Sequence, residues 1–381
     1  GFRAHASDRV RRFPQSTIRE MTQRCEKRGG INLAQGYTDA LPPEDLREMA
    51  VEAIRNGWNQ YSLTWGAAEL RTAVAQKLES FNAIEADPST DVTITCGATE
   101  GLASSILALL DRGDEVLLFE PFYENYAPNI FLADGVPRYI RFPENYDLPE
   151  ERIKEAIGSR TKAIILNTPQ NPTGKVYRKD ELRLLADLCV DYGLLAICDE
   201  TYERFTYDAL PHVSLASLSG MEDRTLTVGT FSKTFFVTGW RVGYVAAPED
   251  LSESVRKVHD YLTVAAPTPF QRALVHGSDV DPNYYTTLIR AYEQKREIIC
   301  RALNECGFHF RAPEGAYYVM ADFSDLSGSA DTDFALELLD KGGIATVPGS
   351  SFYGSRNIPR KQVRFSFCKS DAILQKCASL L

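Results

Sequence analysis

The chain has no CxxC pair, no His/Cys cluster and no apolar run long enough to span a membrane. Each absence removes a class of function. The eight cysteines are scattered, and Cys189, Cys198 and Cys368 lie in apolar runs, as reduced core cysteines do. Five histidines, also scattered, argue against a metal centre, so none is expected. Positive charge is in deficit: 42 Lys and Arg against 52 Asp and Glu give a formal net charge of -10. That balance disfavours nonspecific nucleic-acid binding and adsorption to acidic membranes. It says little about a small ligand, because one arginine can dominate a pocket. The basic start, GFRAHASDRVRRF, is not followed by the hydrophobic region of a signal peptide, and a cytoplasmic location is expected. There is no internal repeat or low-complexity tract.

What is present is globular: 381 residues, 44% hydrophobic and 25% charged, enough for one large domain and a smaller one. Residues 43–55 and 67–81 read as helices. Then short apolar runs alternate with helical patterns. The strand candidates are VTITC (92–96), EVLLFE (115–120), AIILN (163–167), LLAICD (194–199), TLTVGT (225–230) and VGYVAA (242–247). Near-continuous apolar strands separated by helices predict an α/β fold, a mostly parallel sheet with helices on both faces. The link from 230 to 242 shows no obvious full helix, which allows one antiparallel strand. After a long charged helical pattern the last third reads as α+β. We expect an N-terminal arm over 1–42, a large domain over 43–280 and a small domain over 281–381. The arm packs on the small domain or reaches a neighbour.

Five stretches carry candidate chemistry, each at or just after a strand end, where open α/β sheets bind ligands. CGATEG (96–101) joins a strand to a helix whose free N–H groups could cradle an anion, although any tight turn looks the same. EPFYENY (120–126) offers Tyr123 as a flat face, or as core packing. NTPQNPTG (167–174) is turn-rich and presents Asn171 as a donor. CDETY (198–202) ends in Asp199, costly to bury without a cationic partner and otherwise a helix cap, with Tyr202 beside it. FSKTFFVTGWRVG (231–243) sets Lys233 among apolar neighbours, where a depressed pKa would make it a nucleophile. Arg241 could grip a phosphate or carboxylate in two-pronged fashion. Together they suit a phosphorylated aromatic aldehyde with a ring nitrogen.

NPTG, CDETY and SKTFFVTGWRVG, in this order, resemble the pyridoxal-phosphate enzymes of the aspartate aminotransferase fold type I, class I/II. Within these the chain looks closest to the kynurenine/glutamine, methionine and aromatic aminotransferases and cysteine-conjugate β-lyases. The resemblance runs from about residue 30 to 370. It implies a seven-stranded, mostly parallel sheet in the large domain, and pyridoxal 5'-phosphate as cofactor. Lys233 matches the lysine that holds the cofactor as a Schiff base and shuttles protons. Asp199 matches the partner of the ring nitrogen, and Asn171 and Tyr202 the donors to the ring oxygen. Tyr123 matches the stacked ring. Gly97, Ala98, Thr99, Thr230 and Arg241 match the phosphate site. Tyr61 matches a tyrosine lent by the neighbouring subunit, which implies a homodimer. Arg364 matches the grip on the substrate carboxylate, and Gly36 the backbone lining that end.

The resemblance implies transfer of an amino group from an L-amino acid to a 2-oxo acid. β-Elimination, decarboxylation or oxidation would use the same lysine and ring. Tyr37, Trp65, Tyr123 and Phe352 suggest a roomy, partly aromatic substrate pocket, and no second arginine for a dicarboxylate stands out. A large neutral, aromatic or sulfur-containing amino acid is therefore expected. Phe231 and Phe236 depart from the smaller residues usual in that branch, either reshaping the pocket or packing.

Overall fold

Strands form where the chain runs apolar, and their order fixes where the site lies. The computed structural model describes residues 6–279, 281–355 and 361–381. In chain order the strands are β1 (Ile31–Asn32), β2 (Val92–Thr95), β3 (Glu115–Glu120), β4 (Val136–Arg141), β5 (Thr161–Asn167), β6 (Leu195–Asp199), β7 (Thr225–Thr230), β8 (Gly243–Ala246), β9 (Tyr318–Asp322), β10 (Ile344–Ala345), β11 (Val347–Pro348) and β12 (Gln362–Ser366). Seven form one sheet in the order β2-β8-β7-β6-β5-β3-β4. Only β8 runs against its neighbours, pairing antiparallel with both β2 and β7. The short link before it holds no crossover helix, so a parallel return was out of reach. The sequence pattern misses β4: its Pro137, Arg138 and Arg141 suit an edge strand, and its burial is partial.

Successive residues of the central strands feed two cores. Leu117, Phe119, Ile164, Leu166 and Cys198 pack with Leu182, Leu185 and Cys189 of helix Lys179–Tyr192. Val116, Leu118, Ile165, Ile197 and Val228 pack on the other face with Leu102 and Ile106 of helix Gly97–Leu109 and Val255 of helix Glu249–Thr263. A sheet buried on both faces explains the continuous apolar runs. The expected helix over 67–81 forms as Ala68–Lys77 and continues as a wider π turn over Leu78–Asn82.

The C-terminal third begins with the 24-residue helix Pro282–Glu305. The sheet β11-β12-β9 is antiparallel. Residues from helix Thr17–Arg28, Leu33 and Ala34 share a core with Ile299, Val319, Phe365 and Leu374, and β1 pairs with β10. Among the described residues no helix is long and apolar enough to cross a membrane.

Candidate active site

Parallel strands end along one edge of the sheet, and the loops that leave β2, β3, β5, β6 and β7 meet there. Because β8 runs the other way, its start reaches the same edge and brings Arg241 with it. A cavity of about 400 Å³ opens at this edge. Gly36, Tyr37, Ala98, Thr99, Tyr123, Asn171, Asp199, Tyr202, Thr230, Lys233, Arg241 and Arg364 all line it. Gly97 stands at its margin, against Arg241. Phe352 is fully buried behind it, 4.9 Å from the Arg364 guanidinium. Tyr61 is 80% exposed and Trp65 stacks on Arg256; neither lines this cavity. Phe231 packs against Phe235 and Tyr244, and Phe236 against the C-terminal core, so both pack and neither lines the cavity.

Lys233 is held by one hydrogen bond, from Nζ to the Gly36 carbonyl at 3.0 Å. Burial brings its pKa down to about 8; the Cys368 thiol is the largest opposing influence, the charges of Arg241 and Arg364 add to the fall, and Asp199 opposes it least. Asp199 is buried, and burial pushes its carboxyl up; hydrogen bonds from Thr201 and Tyr126 and the charge of Lys233 offset part of that rise. The Tyr126 hydroxyl donates to Asp199 Oδ2 at 2.7 Å and the Thr201 N–H to Oδ1 at 3.1 Å. A cation delivered to this carboxylate would remove the burial penalty.

At the other margin, helix Gly97–Leu109 starts with no side-chain cap, leaving its first N–H groups beside Arg241 and Thr230. Gly97 has φ +74°, and a Cβ there would stand 2.5 Å from the Arg241 guanidinium. That cradle of backbone donors and a guanidinium fits a phosphate. Arg364 is 1% exposed; its Nη1 donates to Asn171 Oδ1 at 2.7 Å, its Nη2 to the Ala34 carbonyl, and its Nε has no partner among the described residues. Asn171 is itself placed by Asn167, whose Oδ1 accepts the Asn171 N–H at 2.8 Å.

Several lining residues were not singled out by the sequence. Asn167, Tyr126 and Ser232 lie inside the quoted motifs but carry no distinctive spacing. Ser16, Ile18, Arg19 and Tyr318 come from distant segments, and no local signal marks them. Ser16 donates to Glu124, and Arg19 lines the cavity beside that pair.

An amine of lowered pKa, a buried carboxylate, a phosphate cradle and a separate buried arginine define a site for a phosphorylated aldehyde cofactor and a carboxylate-bearing partner. The family model for aminotransferase class I and II matches residues 28–380. A methionine aminotransferase of Escherichia coli (strain K12) is 35% identical over 363 residues, 95% of this chain and 94% of that protein. A kynurenine–oxoglutarate transaminase of Dictyostelium discoideum is 32% identical, covering 96% of this chain and 93% of that one. The solved N-succinyldiaminopimelate aminotransferase of Mycobacterium tuberculosis superposes with TM-score 0.96 at 33% identity, covering 98% of each chain. The chain belongs to the aminotransferase class I and II family. It is a pyridoxal-phosphate-dependent enzyme that moves an amino group from an amino acid to a 2-oxo acid.

Proposed function

We propose that the amino donor is a large neutral, aromatic or sulfur-containing L-amino acid. The carrying observation is the charge pattern of the cavity. Arg364 is its buried arginine, whereas exposed Arg19 shares its stretch of wall with Glu124. A second substrate carboxylate would meet Glu124 as well as Arg19, while Ile18, Tyr37 and Tyr123 supply apolar and aromatic wall for a neutral side chain.

The residue roles follow the chemistry. Pyridoxal phosphate, when bound, supplies an aldehyde carbon that links reversibly to amines and a ring that accepts electrons. Lys233 is the amine that would hold the cofactor's aldehyde carbon, and when free it would serve as the base for the α-proton; its lowered pKa suits a base near neutrality. Asp199 keeps the ring nitrogen protonated, with Tyr126 holding the carboxylate in place. Tyr202 and Asn171 would donate to the ring oxygen, and Tyr123 would supply a flat face for the ring. Gly97, Ala98, Thr99, Thr230 and Arg241 hold the phosphate. Arg364, backed by Phe352, binds the substrate carboxylate beside Gly36.

Two further readings belong here. The active unit is a homodimer in which Tyr61 completes the partner's phosphate site; its exposure, with that of Leu41, Leu63, Tyr261 and Leu262, supports a covered face. The enzyme is cytoplasmic, a reading supported by eight cysteines that are all free thiols. The proposed division into an arm over 1–42, a large domain over 43–280 and a small one over 281–381 is supported by the shared core of the arm and the C-terminal third.

The test is product analysis with an amino-acid panel, with and without a 2-oxo acid. Turnover that requires the acceptor, fastest with large neutral donors, is expected. Best turnover with aspartate or glutamate would overturn the donor class. Ammonia, thiol or carbon dioxide accumulating without an acceptor would mark an elimination or decarboxylation instead.

A further inference from the structure

Tyr318 opens β9 and lines the same cavity. Its hydroxyl lies 2.8 Å from the hydroxyl of Tyr202, and both rings are buried. Room for it exists because residue 36 is glycine: a Cβ there would stand 1.9 Å from the Tyr318 oxygen. The Arg364 guanidinium sits 4.2 Å over the Tyr318 ring. One phenol thus touches the tyrosine at the cofactor end, the arginine at the carboxylate end, and the backbone segment that accepts the Lys233 amine.

Two hydroxyls at this distance share one hydrogen bond, and only one of them donates. A cation over a phenol ring favours the charged form of that phenol and so makes its hydroxyl the better donor. Arg364 lies over Tyr318, which biases Tyr318 to donate and Tyr202 to accept. The proton of Tyr202 is then free for a second acceptor in the cavity, and a hydroxyl that accepts one bond donates another more strongly. Without the Tyr318 oxygen, the Tyr202 hydroxyl loses both its fixed direction and that reinforcement.

We propose that Tyr318 is a positioning residue that aims the Tyr202 proton at the ring oxygen of bound pyridoxal phosphate. It acts through Tyr202 and touches no reacting atom, and because it also lies under Arg364 it links the cofactor end of the site to the carboxylate end. The proposal rests on the reading of Tyr202 as a donor to that oxygen.

The experiment is a pH titration of the visible absorbance of the resting holoenzyme, for the wild type, Tyr318→Phe, Tyr202→Phe and the double variant. A donor to the ring oxygen favours its anionic form, which lowers the pH midpoint of the bound chromophore. Tyr318→Phe removes a single oxygen and should raise the midpoint by about 0.5–1 pH unit, a threefold to tenfold change in proton affinity. Tyr202→Phe should raise it further, and the double variant should add nothing to Tyr202→Phe, as expected for residues acting in series. If Tyr202→Phe moves the midpoint and Tyr318→Phe does not, or if the two shifts add, the role of Tyr318 is overturned while that of Tyr202 stands. If Tyr202→Phe leaves the midpoint in place, both readings fall.

Discussion

Lys233 shows how one residue's surroundings become chemistry. Its pKa of about 8 lies below the ordinary 10.5, chiefly because burial penalises the ammonium. Below pH 8 the lysine is charged in folded and unfolded chains alike, and the folded state bears the whole penalty. Between about 8 and 10.5 the folded chain has released a proton that the unfolded chain keeps, so stability from this group rises with pH. Lys233→Met should therefore stabilise the cofactor-free protein at pH 7, and the gain should shrink across that window; denaturant melts at several pH values read this directly. Lys233→Ala should keep the fold and bind pyridoxal phosphate without a covalent link, while turnover falls by at least about 10²–10⁴-fold, the usual share of a positioned acid–base group. Asp199→Ala should lose turnover on a similar scale with secondary structure unchanged, as circular dichroism would check. Lys233 and Asp199 were legible in the sequence because a charged residue among apolar ones is conspicuous. Tyr126 and Tyr318 were not, because a tyrosine in an apolar run reads as core until its hydroxyl partner is known.

Among elements, the reversed strand β8 matters most to the site. The short link from β7 to β8 holds Lys233 at one end and Arg241 at the other, so the amine and the guanidinium reach one cavity edge. Gly97 lies opposite. Gly97→Ala combines a left-handed φ with a methyl pressed on the Arg241 guanidinium, and should weaken cofactor binding about tenfold or more, measured by fluorescence titration. The parallel strands could be read from apolar runs, and the reversal from the length of the link. Strand β4 could not, since an edge strand carries arginines and a proline like any loop. Equally hidden was a buried polar network behind the sheet. Lys77 donates to the Tyr244 hydroxyl at 2.8 Å and pairs with Glu203, which also accepts from Asn82 at 2.9 Å. Its members are spread over more than a hundred residues, so no sequence window contains it. Lys77→Met would take the ion-pair partner from the buried Glu203 carboxylate, leaving it Asn82 and the charges of His212 and Arg204, and should cost about 1–3 kcal/mol in urea unfolding.

For the whole molecule, the open question is where Tyr61 acts. Its side chain is 80% exposed and outside the cavity of its own chain. The segment that carries it is nonetheless fixed: Thr268 donates to the Gln60 carbonyl at 2.7 Å, Gln271 to Ser62 at 3.0 Å, and His259 bonds the Thr64 carbonyl at 2.8 Å. A tyrosine held by hydrogen-bonded neighbours yet exposed suits a role on another surface, and Tyr261 and Leu262 are also exposed, on the helix that bears His259. Mixed dimers separate the two possibilities. One subunit carries Lys233→Ala with its own Tyr61; the other keeps Lys233 and carries Tyr61→Ala. If Tyr61 serves the partner, one site of the mixed dimer receives an intact lysine and an intact tyrosine, while the other loses both. Assayed at limiting cofactor, where the Tyr61→Ala homodimer is weak, the purified mixed dimer should show activity well above either parent, towards about half that of the wild type, one intact site in two. If Tyr61 serves its own chain, each site lacks one of the two and mixing should give no gain. Recovery that disappears on dilution would further tie the completed site to association of the two subunits.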